Sequence, residues 1–474
     1  MSTASLPANS AAMPRFCGIR GAMPECTDFV PARGAAVAGA DEAALQRVDR
    51  TTTMRCALRA AARVRCTQGE HGSTSIKDEP MKSNATRMFA ILAAGLCFAA
   101  SAHSADRLKI GFISTLSGPA ASIGIDMRDA FNLAVKLHGG KLGGLPTEVL
   151  VQDDQLNPEA GKQIADRMIK RDRVDIVTGI TFTNVMLAAA PVVFEAGKVY
   201  ISPNSGPSQL AGAQCNRQFF SVAYQNDSNT GSAPALIANN RGFKNIVAIV
   251  PNYPTGHDAV VGFKATYKGK LRDEIFIKLG QLDFATELAQ IRAAKPDAVF
   301  YFLPGGMGIN FIKQFVAAGL SADTTLITSS SGADEDIIKA VGEPMLGLLN
   351  SSNWGHDLSN PENLKFVSAF EAEYKRLPTT LAAMSYDTAM LIDAAVRDVK
   401  GRVEDKDAFI RALRAKRFRP VRGEFRWQNN NYPSQDWYLR VVGKDAKGRI
   451  TNKIVGSLAR DVGDLHAVNC PMKW

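Results

Sequence analysis

Leu108 to Gly124 reads LKIGFISTLSGPAASIG. Leu108 to Ile113 is an apolar run of strand length. A loop of Ser, Thr and Gly follows, and Pro119 and Ala120 open a helix that runs to Leu137. A strand feeding a helix through a small-residue loop leaves backbone N–H groups at the carboxyl edge of a sheet. Open α/β sheets bind ligands at that edge, and a helix N-terminus there favours an anion.

Working outward, the same unit repeats. Strands are expected at Thr147–Asp153, Asp175–Ile180 and Val199–Pro203. Helices are expected at Pro158–Arg171 and from Asn184 to Ala196. Short β-rich runs alternating with 3.6-residue periods mark βαβ units on a parallel sheet. The alternation breaks at Gln218–Asp227 (QFFSVAYQND), read as an extended crossing into a second lobe. There it resumes, with helix Ser228–Arg241, strand Asn245–Pro251, helix Thr255–Lys268, strand Glu274–Gly280, helix Phe284–Ala294, strand Asp297–Leu303, helix Met307–Ala318 and strand Thr325–Ser329. A second extended stretch, Gly347–Trp354, leads back. Helices Pro361–Arg376, Leu381–Lys400 and Asp405–Ala415 precede a β-rich tail at Gly423–Trp427, Trp437–Val442 and Ile450–Ser457. The fold class is therefore α/β, with two lobes joined by extended crossings around a cleft. Residues 106–224 with 358–430 form lobe 1; residues 225–357 with 431–474 form lobe 2 and the C-terminal tail.

The chain before this body has a different character. Met81–Ala105, MKSNATRMFAILAAGLCFAASAHSA, has Lys82 and Arg87 ahead of an apolar core too short to span a bilayer. Small residues at a cleavage site follow, which is the pattern of a secretory signal peptide and places the mature chain in the periplasm. Met81 is read as the initiator, and residues 1–80 as a mis-called or disordered extension. No other stretch is long and apolar enough for stable membrane insertion.

Composition narrows the function classes. The 474 residues are 46% hydrophobic and 22% charged, enough core for two lobes. Net charge is +10, but no dense Lys/Arg run argues for nucleic acid. Seven cysteines and six histidines include no CxxC pair, so no metal site is expected. GxGxxG, GxxxxGK[ST] and GxSxG are all absent, which leaves no cofactor or catalytic signature. What recurs instead is neutral polar residues at strand-to-helix junctions: Ser114, Thr115 and Ser117; Thr181, Thr183 and Asn184; Ser202, Asn204 and Ser205; Ser329–Ser331. Each one alone is an ordinary helix cap. As a set at one kind of edge they point to binding rather than catalysis. Tyr224, Tyr253 and Trp354 fall near the same cleft and are candidate walls for a planar or apolar ligand.

Together, LKIGFISTLSGPAASIG, DIVTGITFTNV, YISPNSGPS, PNYPTGHD and YFLPGGMG resemble the substrate-binding components of ABC transporters, of the branched-chain amino acid and amide type. AQCNRQFFSVAYQND, NWGHDLSNPENLKF and the terminal NCPMKW are similar to members that bind aromatic acids. The resemblance implies a type I periplasmic binding protein fold and a non-enzymatic monomer without a cofactor. It also implies that the protein captures a small-molecule carboxylate and hands it to an ABC permease. It implies ligand contacts from Ser117, Thr183, Asn184, Ser202, Asn204, Tyr224, Tyr253, Gly306 and Trp354, and a disulfide between Cys215 and Cys470. Two alternatives stay open: a branched-chain amino acid or amide ligand, with the acids of Ser329–Asp336 (SSSGADED) meeting its ammonium group, and a ligand-sensing rather than a transport role.

Overall fold

The structure, a computed structural model, describes residues 107–474. The signal peptide and the extension assigned to residues 1–105 lie outside the described residues.

Strand β1 (Leu108–Ser114) is the centre of the first sheet, buried along its length except at Lys109. It pairs in parallel with β3 (Leu145–Asp153) on one side and β4 (Ile176–Gly179) on the other, with Phe112 opposite both Val151 and Thr178. The six-stranded sheet has the order β2 (Lys141–Leu142), β3, β1, β4, β5 (Val199–Ser202), β6 (Phe219–Ser221). Its crossover helices are α1 (Ala121–Leu137), α2 (Pro158–Arg167) and α3 (Thr183–Glu195). Parallel strands covered on both faces need near-continuous apolar runs, and β1, β4 and β5 supply them. Asn157 caps α2, accepting from Glu159 N and Ala160 N, with Pro158 at the first helical position. Gly124 lets α1 lie against the end of β1: a Cβ there would stand 2.1 Å from the Thr115 carbonyl oxygen.

The second sheet is built the same way. Strands β7 (Ile246–Pro251), β8 (Leu271–Ile277), β9 (Ala298–Tyr301), β10 (Thr325–Ser329) and β11 (Leu349–Ser352) are parallel, in the order β11-β10-β9-β7-β8. Antiparallel β13 (Pro433–Lys444) extends it beside β11, carrying β12 (Arg426–Trp427) and β14 (Ile450–Val462). The associated helices are α4 (Ala233–Arg241), α5 (Pro254–Thr266), α6 (Ala285–Ala294), α7 (Gly306–Ala317) and α8 (Glu335–Val341). Helix α9 (Pro361–Tyr374) then returns the chain. Helices α10 (Thr380–Asp398) and α11 (Lys406–Ala415) pack onto the first sheet, where Leu391, Ile392, Phe409 and Leu413 join Phe112, Phe131 and Phe220 in one core.

The expected order of elements stands, with differences at the crossings. Gln218–Asp227 is not extended throughout. Phe219–Ser221 joins the first sheet as β6, and Asp227–Ser232 winds into a π-helical turn ahead of α4. Within Gly347–Trp354, Leu349–Ser352 is a strand of the second sheet, so the return crossing starts only at Asn353. Strand β8 begins three residues before the expected Glu274, because Leu271, Ile275 and Ile277 form its buried face while Arg272 and Asp273 face solvent at a sheet edge. Helix α8 and strand β2 were not anticipated.

Cys215 and Cys470 are bridged, with Cα atoms 5.7 Å apart, and the bridge ties the C-terminal tail to the segment between β5 and β6. Among the described residues no helix is long and apolar enough to cross a membrane, and no group of three or more His, Cys, Asp or Glu is placed to hold a metal ion.

Candidate functional site

A cavity with about 610 Å³ of atom-free space, counted out to its mouth, lies where the carboxyl ends of the two sheets face each other. Helices α3, α5, α7, α8 and α10 begin at its wall. The residues that precede α3, α5 and α7 are Phe182, Tyr253 and Gly305; all three line the cavity, and none makes a side-chain cap hydrogen bond. The first-turn N–H groups of three helices of 12 or 13 residues are thus left uncapped by side chains beside one enclosed space. Each such helix end favours a negative charge.

Aromatic rings form the apolar wall. Tyr253 lies between Phe182 of lobe 1 (centroids 6.2 Å apart) and Phe302 of lobe 2 (6.3 Å, interplanar angle 13°). Ile123, Ile337 and Leu381 complete the apolar lining.

The polar wall is held in place by its own hydrogen bonds. Tyr224 OH donates to Asn204 Oδ1 at 2.5 Å, and Asn204 Nδ2 donates to the Thr181 carbonyl at 2.6 Å. Ser205 Oγ donates to that same carbonyl at 3.2 Å, and Thr181 Oγ1 in turn accepts from Thr115 N. Burial pushes the phenols of Tyr224 and Tyr253 well above the usual tyrosine range, so both remain neutral donors. Asp334 and Asp336 supply acidic groups to the wall from the start of α8. Burial raises Asp334 to about 6, against the opposing pull of Arg440 3.5 Å away; Thr380 N donates to its other oxygen at 2.6 Å. Burial raises Asp336 as well, although Ser122 Oγ donates to it at 2.7 Å.

The two lobes touch at both ends of the cavity. Behind it, Thr255 Oγ1 of lobe 2 donates to Thr183 Oγ1 of lobe 1 at 2.6 Å, and Ser208 Oγ donates to Asp258 Oδ1 at 2.6 Å. Asn226 Nδ2 reaches Thr183, Thr255 and Asp258. At the mouth, Gly306 N donates to the Pro119 carbonyl at 3.0 Å, beside the Ser122–Asp336 bond. The cleft is therefore closed in this structure.

Of the residues singled out in the sequence, Asn204, Tyr224 and Tyr253 line the cavity, as do Thr181, Ser205, Ser330 and Ser331 of the junction set. Thr183 and Asn184 sit in the first turn of α3, one step beyond the lining, and Thr183 spends its hydroxyl on the contact with Thr255. Ser202 is fully buried and donates to the Ser205 carbonyl, so it shapes the loop instead of facing the cavity. Gly306 serves through its backbone contact to Pro119. Ser117 is exposed, next to Asp153. Trp354 lies away from the cavity: its Nε1 donates to Asn363 Oδ1 at 2.7 Å and its ring packs on Phe366. Sequence reasoning passed over Phe182, Phe302, Asn226 and Thr255. Phe182 stands between Thr181 and Thr183, and Thr255 two residues after Tyr253, at the same strand-to-helix junctions as residues it did choose.

The sequence profile of the periplasmic binding protein family matches residues 107–448. The chain belongs to that family. Among curated relatives, this periplasmic binding protein is similar to the Leu/Ile/Val-binding protein homolog 6 of Brucella melitensis, with 27% identity over 366 residues, 75% of this chain and 92% of the relative. Among solved structures it is similar to an ABC transporter solute binding protein from R. palustris in complex with benzoate, at 30% identity and a TM-score of 0.73, covering 77% of this chain and all of that one. A solute binding protein from Rhodopseudomonas palustris BisB5 in complex with 3,4-dihydroxy benzoic acid matches at 28% identity and a TM-score of 0.70, over 76% of this chain and 99% of that one.

Proposed function

We propose that this periplasmic binding protein captures a small aromatic carboxylate between its lobes and delivers it to an ABC permease, as an exported monomer that performs no chemistry on its ligand. The observation that carries this reading is the convergence of the N-termini of α3, α5 and α7, which have no side-chain caps, on a cavity walled by Phe182, Tyr253 and Phe302. The helix ends favour the carboxylate, and the rings favour a planar body. The benzoate and dihydroxybenzoate held by the solved relatives support it. The lobes divide as 106–224 with 358–430 and 225–357 with 431–474, and export follows from the signal peptide at 81–105. Donors for the carboxylate come from the junctions that carry Thr183, Asn184, Ser202 and Asn204. Closure selects ligands that touch both lobes.

Asp334 and Asp336 at the cavity wall favour a second reading, a ligand that also carries an ammonium group, as the Leu/Ile/Val-binding relatives' names suggest for those proteins. A thermal-shift panel separates the two. A ligand that binds only the folded protein raises its melting temperature by mass action. Shifts with benzoate and hydroxybenzoates alone uphold the first reading; shifts with leucine, isoleucine or valine alone replace it with the second.

A further inference from the structure

Away from the cavity, the two crossings described above and a third, residues 416–432 between α11 and β13, converge on one backbone atom. The Ala223 carbonyl, in the first crossing, accepts from Asn353 Nδ2 of the second crossing at 3.1 Å. It also accepts from Arg422 Nη1 of the third crossing at 2.9 Å, and from Gln435 Nε2, where that crossing enters β13, at 2.9 Å. The donors are cross-linked as well. Gln435 Oε1 accepts from Asn353 Nδ2 at 3.1 Å and from Arg422 Nη1 at 3.0 Å. Met384 of α10 presents its sulfur to both, at 3.5 Å and 3.0 Å. None of these five residues is more than 4% exposed.

The placement of Arg422 is unusual. Burial pulls its guanidinium down to about 10, so it stays a cation. Its buried counter-charge, Asp387, comes no nearer than 3.9 Å, and Arg422 Nε and Nη2 have no hydrogen-bond partner among the described residues. Its hydrogen bonds all run through Nη1, to the Ala223 carbonyl, Gln435 Oε1 and the Met384 sulfur, while its plane lies 4.2 Å over the Phe425 ring. A charge-assisted donor aimed at a buried carbonyl is stronger than a neutral one, and losing a buried partner is costly. The arrangement resists any motion that separates the three crossings.

We infer that Asn353, Arg422 and Gln435 form a bracket on the Ala223 carbonyl that makes three linkers bend as one hinge, and so set ligand affinity without touching the ligand. The inference rests on the proposed capture by closure. With the bracket in place the crossings keep the spacing seen in the closed cleft. Without it the unliganded protein spends more time open, and apparent affinity falls by the fraction of closed-competent molecules.

The test uses the purified protein and the neutral variants Gln435→Leu and Asn353→Ala, with nitroxide labels at exposed positions 162 on α2 and 313 on α7. The expected result is a broader and longer label-to-label distance distribution in both variants without ligand, and benzoate affinity weaker by roughly tenfold, mostly through faster release. Unchanged distances together with unchanged affinity, even if the melting temperature falls, would overturn the inference and leave these residues as packing. The distances are read without ligand, so they decide the hinge even if the native protein ignores benzoate, a result that would remove only the functional reading.

Discussion

Removing the Cys215–Cys470 bridge gives a perturbation whose size follows from the structure. The bridge spans 255 residues, so about two thirds of the described chain lies inside the closed loop. Loop-closure entropy for a loop of that length gives about 5 kcal/mol of stabilisation at 25 °C through the unfolded state. The Cα separation of 5.7 Å falls in the ordinary range for a bridge, so the native state gives little of that back. The tail also makes contacts of its own: His466 Nε2 meets Asp227 at 2.7 Å, and Asn429 donates to the Cys470 carbonyl at 3.0 Å. The double variant Cys215→Ser/Cys470→Ser should therefore lose about 3–5 kcal/mol of unfolding free energy. In urea its midpoint should fall, and its slope should rise, because an uncrosslinked unfolded chain exposes more surface. Mass analysis after thiol alkylation without reduction should leave the native Cys215 and Cys470 peptides unlabelled. Two labels, or unfolding curves that coincide within about 0.5 kcal/mol, would refute the reasoning.

Other perturbations act on the site and its frame. Tyr253→Ala removes the ring between Phe182 and Phe302 and should weaken aromatic-acid binding roughly 30-fold by calorimetry, the scale of a buried hot-spot residue. Gly124→Ala would drive a Cβ to 2.1 Å from the Thr115 carbonyl and should cost about 1–3 kcal/mol, read as a lower melting temperature. Asp126, on α1 beside Arg376, is raised to about 7 by burial, with Asp336 and Asp334 adding repulsion from lobe 2. An acid raised on folding contributes stability that is whole below its unfolded value near 3.8 and is lost as pH rises through about 7. Melting measured from pH 5 to pH 8 should thus show the native protein losing stability relative to Asp126→Asn, at most by about 1.4 kcal/mol per pH unit below the folded value. Parallel pH profiles would mean that Asp126 carries no such charge.

The order of strands and helices was legible because β1, β4, β7 and β9 are apolar runs set between longer helical periods. The limits of the crossings were not, and β11 shows why. Its sequence is Leu-Asn-Ser-Ser, with no β-strand period of apolar residues, yet all four are buried. Asn350 is tolerated there because its Oδ1 accepts from Arg440 Nε and its Nδ2 donates to Asn452, partners about 90 and 100 residues away in the chain. A local pattern carries no record of such partners. The same holds for the cavity. Its strand-to-helix junctions could be found from sequence, and Asn204, Tyr224 and Tyr253 with them. Which residue at each junction turns inward is decided by packing. Phe182 reads as a core residue between two threonines, and Trp354 reads as a cleft aromatic, until Asn363 and Phe366 are seen holding it elsewhere. The acids at Asp334 and Asp336 were visible in the sequence, but their direction was fixed only by α8, a helix of seven residues starting with two carboxylates.

The claim at the centre of this account is that helix N-termini hold a carboxylate while rings hold a planar body. Calorimetric titration of the purified protein with benzoate and, separately, with benzyl alcohol tests it most directly, because the two differ only at the group placed against the helix ends. Benzoate should bind one-to-one, and benzyl alcohol should give no measurable heat at the same concentrations. Equal binding of the two, or binding of neither, would contradict it.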